Sequence, residues 1–175
     1  MPNIETVLHD LRAMGTGVQK ARAATAAADH TAQEITAQAT RAGFTGIAVG
    51  MRQIREIIAE VGQRLAGIDT AVNGATAALA AAPQEMTPQQ TIAVLSPQAQ
   101  ALTEVRTQLS GAIDRVDQTR QVTNSVLRGG QPGPMLTALG TIIEILCLLA
   151  RSTAPAGQNI AAVIAAAEHV GAAGK

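Results

Sequence analysis

The chain has almost no aromatic residues: it contains no Trp, no Tyr and a single Phe, Phe44. Proteins that bind nucleic acid offer basic surfaces to the phosphates or aromatic rings on which bases stack. Here 13 basic residues balance 13 acidic ones, and Lys20 and Lys175 are the only lysines. We therefore expect no nucleic acid among the partners of the protein.

Cysteine and long apolar runs are also scarce. The single cysteine, Cys147, excludes an intramolecular disulfide framework. The N-terminal residues lack the basic and apolar regions of a secretory signal. The most apolar run, residues 135–150, contains Glu144 and is shorter than the ~20 residues of a membrane span. These absences predict a cytoplasmic protein without membrane contact.

Residues that perform catalysis or bind metals do not cluster. The histidines (His9, His30 and His169) each have an acidic neighbour in sequence, but adjacent helical residues point in different directions. A di-iron bundle needs two Glu-x-x-His pairs, and none occurs. The glycine-rich stretches at 15–17 and 129–134 match neither a dinucleotide fingerprint nor a P-loop. We predict a non-enzymatic protein with no cofactor and no metal site.

The sequence does contain four long segments in which apolar residues recur in steps of three and four. Alanine, the residue with the highest helix propensity, makes up about a fifth of the chain. Two segments keep a 3.5-residue repeat from Ile4 to Ala42 and from Ile47 to Ala82. Such a repeat holds one helix face against a partner helix. It predicts an all-α fold with coiled-coil-like hairpins.

The second half is less regular. Thr87-Pro88 and Ser96-Pro97 each place a capping hydroxyl before a proline, which predicts a short helix over about 88–95 and a long one over about 97–128. Glycines and prolines at 128–135 end that helix. A fourth segment follows from Met135 to Val170, and Pro155 predicts a kink or break within 151–157.

We therefore predict one helical domain over residues 1–175, folded as an elongated four-helix bundle. It consists of two antiparallel hairpins, 3–82 and 88–171, joined by a linker that contains proline. Residues 43–46 (Gly43, Phe44, Thr45 and Gly46) form the turn of the first hairpin, with Gly43 as a left-handed cap and Thr45 as the next N-cap. We expect Phe44 to cover the open end of the bundle; a docking contact is the alternative.

The fourth segment has more apolar residues than one helix face needs. They lie on both sides of its repeat, and the set is Leu136, Ile143, Ile164, Ile145 and Leu148. Such a helix is either central in the bundle or covers a partner. We predict an interaction or scaffold protein that forms a homo-oligomer or docks a protein partner through this face. The alternative is a carrier of a small apolar ligand held between the helices.

The sequence also resembles two families of helical proteins. The first hairpin, with Phe44-Thr45-Gly46 at its turn, resembles the WXG100 (ESAT-6-like) proteins of type VII secretion, although Phe replaces their Trp and their Tyr-containing tail is absent. The stretches "AGFTGIAVGM", "EMTPQQTI" and "GGQPGPML" together resemble an uncharacterised actinobacterial family of small alanine-rich proteins. That resemblance implies a helical fold and a bacterial origin, and no activity.

Overall fold

The computed structural model describes residues 3–83 and 85–173, and within them it contains four α-helices and no strand. The helices are α1 (Ile4–Arg41), α2 (Thr45–Ala80), α3 (Pro88–Val126) and α4 (Gly133–Ala173). At 1.5 Å per residue, each is roughly 55 to 60 Å long. The predicted all-α, elongated architecture is confirmed.

The four helices form a closed bundle. Each helix packs against its neighbours in the chain, and α4 also packs against α1. The diagonal pairs α1–α3 and α2–α4 are not in contact within the described residues. Because only short segments connect the helices, consecutive helices run antiparallel. The two predicted hairpins are thus α1–α2 and α3–α4, placed side by side.

The 3.5-residue repeat forms the core. Ten of the eleven predicted positions of α2 lie within the helix, and all of these except Ile47 are buried. Thr25, the one polar residue in the repeat of α1, is buried, and its hydroxyl donates a hydrogen bond of 2.8 Å to the Ala21 carbonyl. In α3, Ala112 is buried and Ile113 half-buried. Thr119 and Thr123 continue the buried face towards the end of α3.

The predicted helix start at Thr87 is confirmed. The Thr87 hydroxyl accepts a hydrogen bond from the Gln90 backbone N–H at 3.3 Å. The Gln90 side chain accepts one from the Thr87 N–H at 2.9 Å, which completes a capping box.

The predicted separation into two helices at Ser96-Pro97 is wrong, because α3 continues through Pro97. The Ser96 hydroxyl donates to the Ile92 carbonyl at 2.8 Å and so bonds back into the same helix. Leu95 and Leu102 are buried on either side of the proline. Packing on both sides therefore holds the helix together where one backbone hydrogen bond is missing.

Of the kink or break predicted near Pro155, the break does not occur, because α4 is continuous from Gly133 to Ala173. Pro155 is itself exposed, while Thr153 and Ala156 are buried against the core. The carbonyl that loses its helical partner belongs to Arg151, an exposed residue, so water can satisfy it.

The turn between α1 and α2 is shorter than predicted. Gly43 has a φ of 77°, and the Phe44 N–H donates to the Ala39 carbonyl at 2.8 Å, as in a Schellman motif. α2 then begins directly at Thr45, with Phe44 as its N-cap and no side-chain cap. The prediction that Thr45 caps α2 is therefore wrong. Thr45 and Gly46 belong to the first turn of the helix.

Candidate interaction surface

The inner face of α4 fixes which residues point outward. Met135, Leu139, Ile142 and Leu146 are fully buried at heptad spacing. The residues opposite them form a continuous exposed strip, which we call the outer face of α4. It comprises Thr137, Thr141, Glu144, Leu148, Arg151, Ala154, Pro155, Gln158, Ala161, Ala162 and Ala165.

The outer face of α4 carries little charge. The 41 residues of α4 include three charged side chains, Glu144, Arg151 and Glu168, whereas the 38 residues of α1 include eight. Leu148 lies near the middle of the face with 64% of its surface exposed. Small and apolar side chains fill most of the remaining positions. This composition is more typical of a covered surface than of a solvated one.

The structure divides the five predicted interface residues into two groups. Ile143, Ile145 and Ile164 are partly buried and pack against the core. Leu136 is half-buried, and Leu148 is exposed. Much of the apolar excess therefore widens the internal contact of α4, and Leu148 is the member of the set that is open to a partner.

Ion pairs between helices lie away from α4. Arg22–Asp69 and Arg55–Asp29 join α1 to α2, each at 2.9 Å, and a third pair joins α2 to α3 at 2.7 Å. No ion pair within the described residues joins α4 to a neighbour. Its direct side-chain link is a hydrogen bond of 2.7 Å from Asn159 to Asp10 of α1. Apolar packing therefore holds α4 in place.

By length and composition, α4 is apolar enough to cross a membrane, and 28% of its most apolar 18 residues are buried. The prediction from the sequence considered only residues 135–150 and so understated this property. The same buried residues form part of the bundle core, so the helix also fits the role of a core helix. What distinguishes it from α1, α2 and α3 is its nearly uncharged outer face.

Phe44 does not cover the end of the bundle as predicted, because 60% of its surface is exposed. Its ring instead lies at the edge of an open pocket of about 380 Å³ between the two turns. Apolar side chains from α1, α2 and the end of α3 line much of the pocket. They include Ile35, Ile47 and Leu127.

An open groove between α1 and α2, of about 580 Å³, was not predicted. Arg22, Arg52 and Arg55 line it together with Asp29 and Glu56. Asp29 accepts hydrogen bonds from Arg55 at 2.9 Å and from Gln33 at 2.6 Å, so its carboxylate is already engaged. The groove holds both signs of charge, and its ion pairs serve to join the two helices.

The residues that usually perform catalysis remain dispersed. His9, His30 and His169 are exposed on separate parts of the surface, and Cys147 is half-buried. Within residues 3–83 and 85–173, no three His, Cys, Asp or Glu side chains lie close enough to hold a metal ion. The predictions of a non-enzymatic protein without metal remain predictions.

Residues 86–172 match the model of a family of unknown function (DUF6244). The matched range contains almost all of α3 and α4, so the family unit corresponds to the second hairpin and includes the outer face of α4. No curated protein and no solved structure matches the chain. The predicted likeness to an uncharacterised family is thus confirmed for this hairpin.

Proposed function

We propose that the protein is a non-enzymatic interaction or scaffold protein that contacts another helical surface through the outer face of α4. The observation that carries this proposal is the low charge of that face, with Leu148 exposed at its centre. Apolar surface stabilises a complex by roughly 25 cal/mol for each Å² removed from water. A partner that covers Leu148 and the surrounding alanines would therefore gain free energy without displacing many hydrated charges.

The rigidity of α4 supports the same role. Its inner face is packed along most of its length, so the outer residues keep fixed positions when a partner arrives. A preorganised surface loses little conformational entropy on binding.

Photo-crosslinking in the host cell tests the proposal. We expect p-benzoyl-phenylalanine at position 148 to give a covalent adduct of one discrete mass. Position 49 of α2 is the matched control, because Val49 is 57% exposed on a more charged helix. No adduct at position 148, or equal adducts at both positions, would contradict the proposal. The adduct mass separates a second copy of the chain from a different protein.

We expect neither membrane nor nucleic acid among the partners. In the groove between α1 and α2, Arg22 is paired with Asp69 and Arg55 with Asp29, so the groove offers little unpaired positive charge to phosphate groups. Co-sedimentation with anionic liposomes at low salt should leave the protein in the supernatant. The cytoplasmic location, the actinobacterial origin and the WXG100 likeness also remain predictions.

A second candidate function is the transport or storage of a small apolar ligand, and the pocket beside Phe44 favours it. Its apolar lining and volume of about 380 Å³ suit a small hydrophobic molecule. Native mass spectrometry of protein purified from its own host should then show a bound ligand. Leu127→Arg places a charge in the pocket and should abolish binding of the ligand. Repeated preparations without ligand would contradict this function.

A further inference from the structure

We propose that the partner on the outer face of α4 is a second copy of the same chain, packed antiparallel across a two-fold axis between Cys147 and Leu148. This inference rests on the proposed function and adds the identity and orientation of the partner. It follows from the positions of the two charged residues on that face.

Glu144 and Arg151 occupy the same heptad position, seven residues and roughly 10.5 Å apart along the helix. Both are exposed, and neither forms an ion pair within the described part of the chain. A two-fold interface is self-complementary: if residue i meets residue j, then j meets i. An axis between Cys147 and Leu148 places Glu144 opposite Arg151 of the second copy, twice in each dimer.

The charges also select the orientation. In an in-register parallel pair, Glu144 would face Glu144 and Arg151 would face Arg151, and like charges at an interface disfavour association. In the antiparallel pair, every charge on the outer face of α4 meets its opposite. Glu168, outside this face, lies about 20 residues from the axis and is not needed for the pairing.

The uncharged positions fit the same pairing. Leu148 lies next to the axis, so the two copies of this exposed side chain pack against each other. Further from the axis, Thr141 lies opposite Ala154 of the second copy, and Thr137 lies opposite Gln158. Both pairs consist of small or polar residues. Small side chains allow the two helices to approach closely, and a core of apolar contact with charged pairs on both sides is typical of specific interfaces.

Sedimentation equilibrium of charge-reversed variants tests the pairing. Glu144→Arg and Arg151→Glu each replace two attractive pairs by two repulsive ones, and each should raise the dimer Kd about tenfold. The double variant restores opposite charges and should return the Kd to within about threefold of the wild type. Arg52→Glu, on the diagonal helix α2, is the control and should leave the Kd unchanged.

Cys147 gives an independent readout. In the proposed dimer the two copies of this half-buried residue flank the axis, so a short bismaleimide should link them, and Leu148→Glu should abolish the link. A dimer without rescue in the double variant would overturn the antiparallel pairing and leave the proposed function intact. If the wild type is monomeric and position 148 crosslinks to another protein, the proposal that the partner is a second copy of the chain would be wrong. The absence of any adduct at position 148 would contradict both the proposed dimer and the proposed function.

Discussion

Leu65→Ala should lower the free energy of unfolding by about 2 to 5 kcal/mol, which is the range for removing a large side chain from a packed core. Leu65 is fully buried, and it belongs to a core cluster to which all four helices contribute. The loss has two parts, the transfer free energy of the missing methyl groups and the cavity that remains. Urea unfolding followed by far-ultraviolet circular dichroism measures the change.

The same variant tests whether the two hairpins form one domain. Because the core is shared, Leu65→Ala in α2 should also increase amide hydrogen exchange in α3 and α4, measured by mass spectrometry. Val49→Ala is the control: this residue is 57% exposed, and its replacement should change stability by less than about 0.5 kcal/mol. Unchanged exchange in α3 and α4 would show that the hairpins unfold independently.

Gly50→Ala should destabilise the protein by up to about 2 kcal/mol, although alanine is the better helix former. A Cβ at Gly50 would lie 2.6 Å from both γ-carbons of Val126 and 3.1 Å from its Cβ. Valine in a helix has one strongly preferred rotamer, so it cannot turn away, and α2 and α3 must separate. Overpacking costs about 1 to 3 kcal/mol, and subtracting the gain of about 1 kcal/mol in helix propensity leaves a net loss of up to about 2 kcal/mol.

Two further variants separate these effects. Gly74→Ala, on the same helix with no atom within 4 Å of the added Cβ, should stabilise the protein by about 0.5 to 1 kcal/mol. In a Val126→Ala background, Gly50→Ala should lose most of its cost, since the two γ-carbons at 2.6 Å are gone and only the Cβ at 3.1 Å has to give way. If Gly50→Ala stabilised the wild type as much as Gly74→Ala, α2 and α3 would not approach each other as closely as described.

The sequence predicted the four helices and most core residues because the 3.5-residue repeat is nearly unbroken. The separation into two helices predicted at Pro97 was wrong, and the break that was one of two outcomes predicted at Pro155 does not occur. A proline inside a helix costs about 3 kcal/mol, but each fully buried leucine contributes about 1.5 to 3 kcal/mol. Two buried residues beside Pro97, Leu95 and Leu102, are therefore enough to keep α3 continuous.

The candidate surface was predicted only in outline. Periodicity showed that α4 is apolar over a wide arc, but how far the neighbouring helices cover its sides depends on packing distances. Ile143 and Ile145 are therefore partly buried, while Leu148 remains exposed. The repeat alone places Glu144 and Arg151 at the same outer heptad position, and the structure shows that both are exposed. The groove lined by arginines could not be predicted, because its position depends on the register of α1 against α2, and no local sequence pattern gives that register.

The most direct measurement is the molar mass of the wild type and Leu148→Glu in solution, by light scattering with refractive-index detection. A chain without Trp or Tyr absorbs too weakly at 280 nm for the usual detector. The wild type should have twice the 17.9 kDa mass of the chain, and Leu148→Glu should have the mass of one chain. A wild type that stays at 17.9 kDa as its concentration rises, or a Leu148→Glu variant as dimeric as the wild type, would contradict self-association through α4.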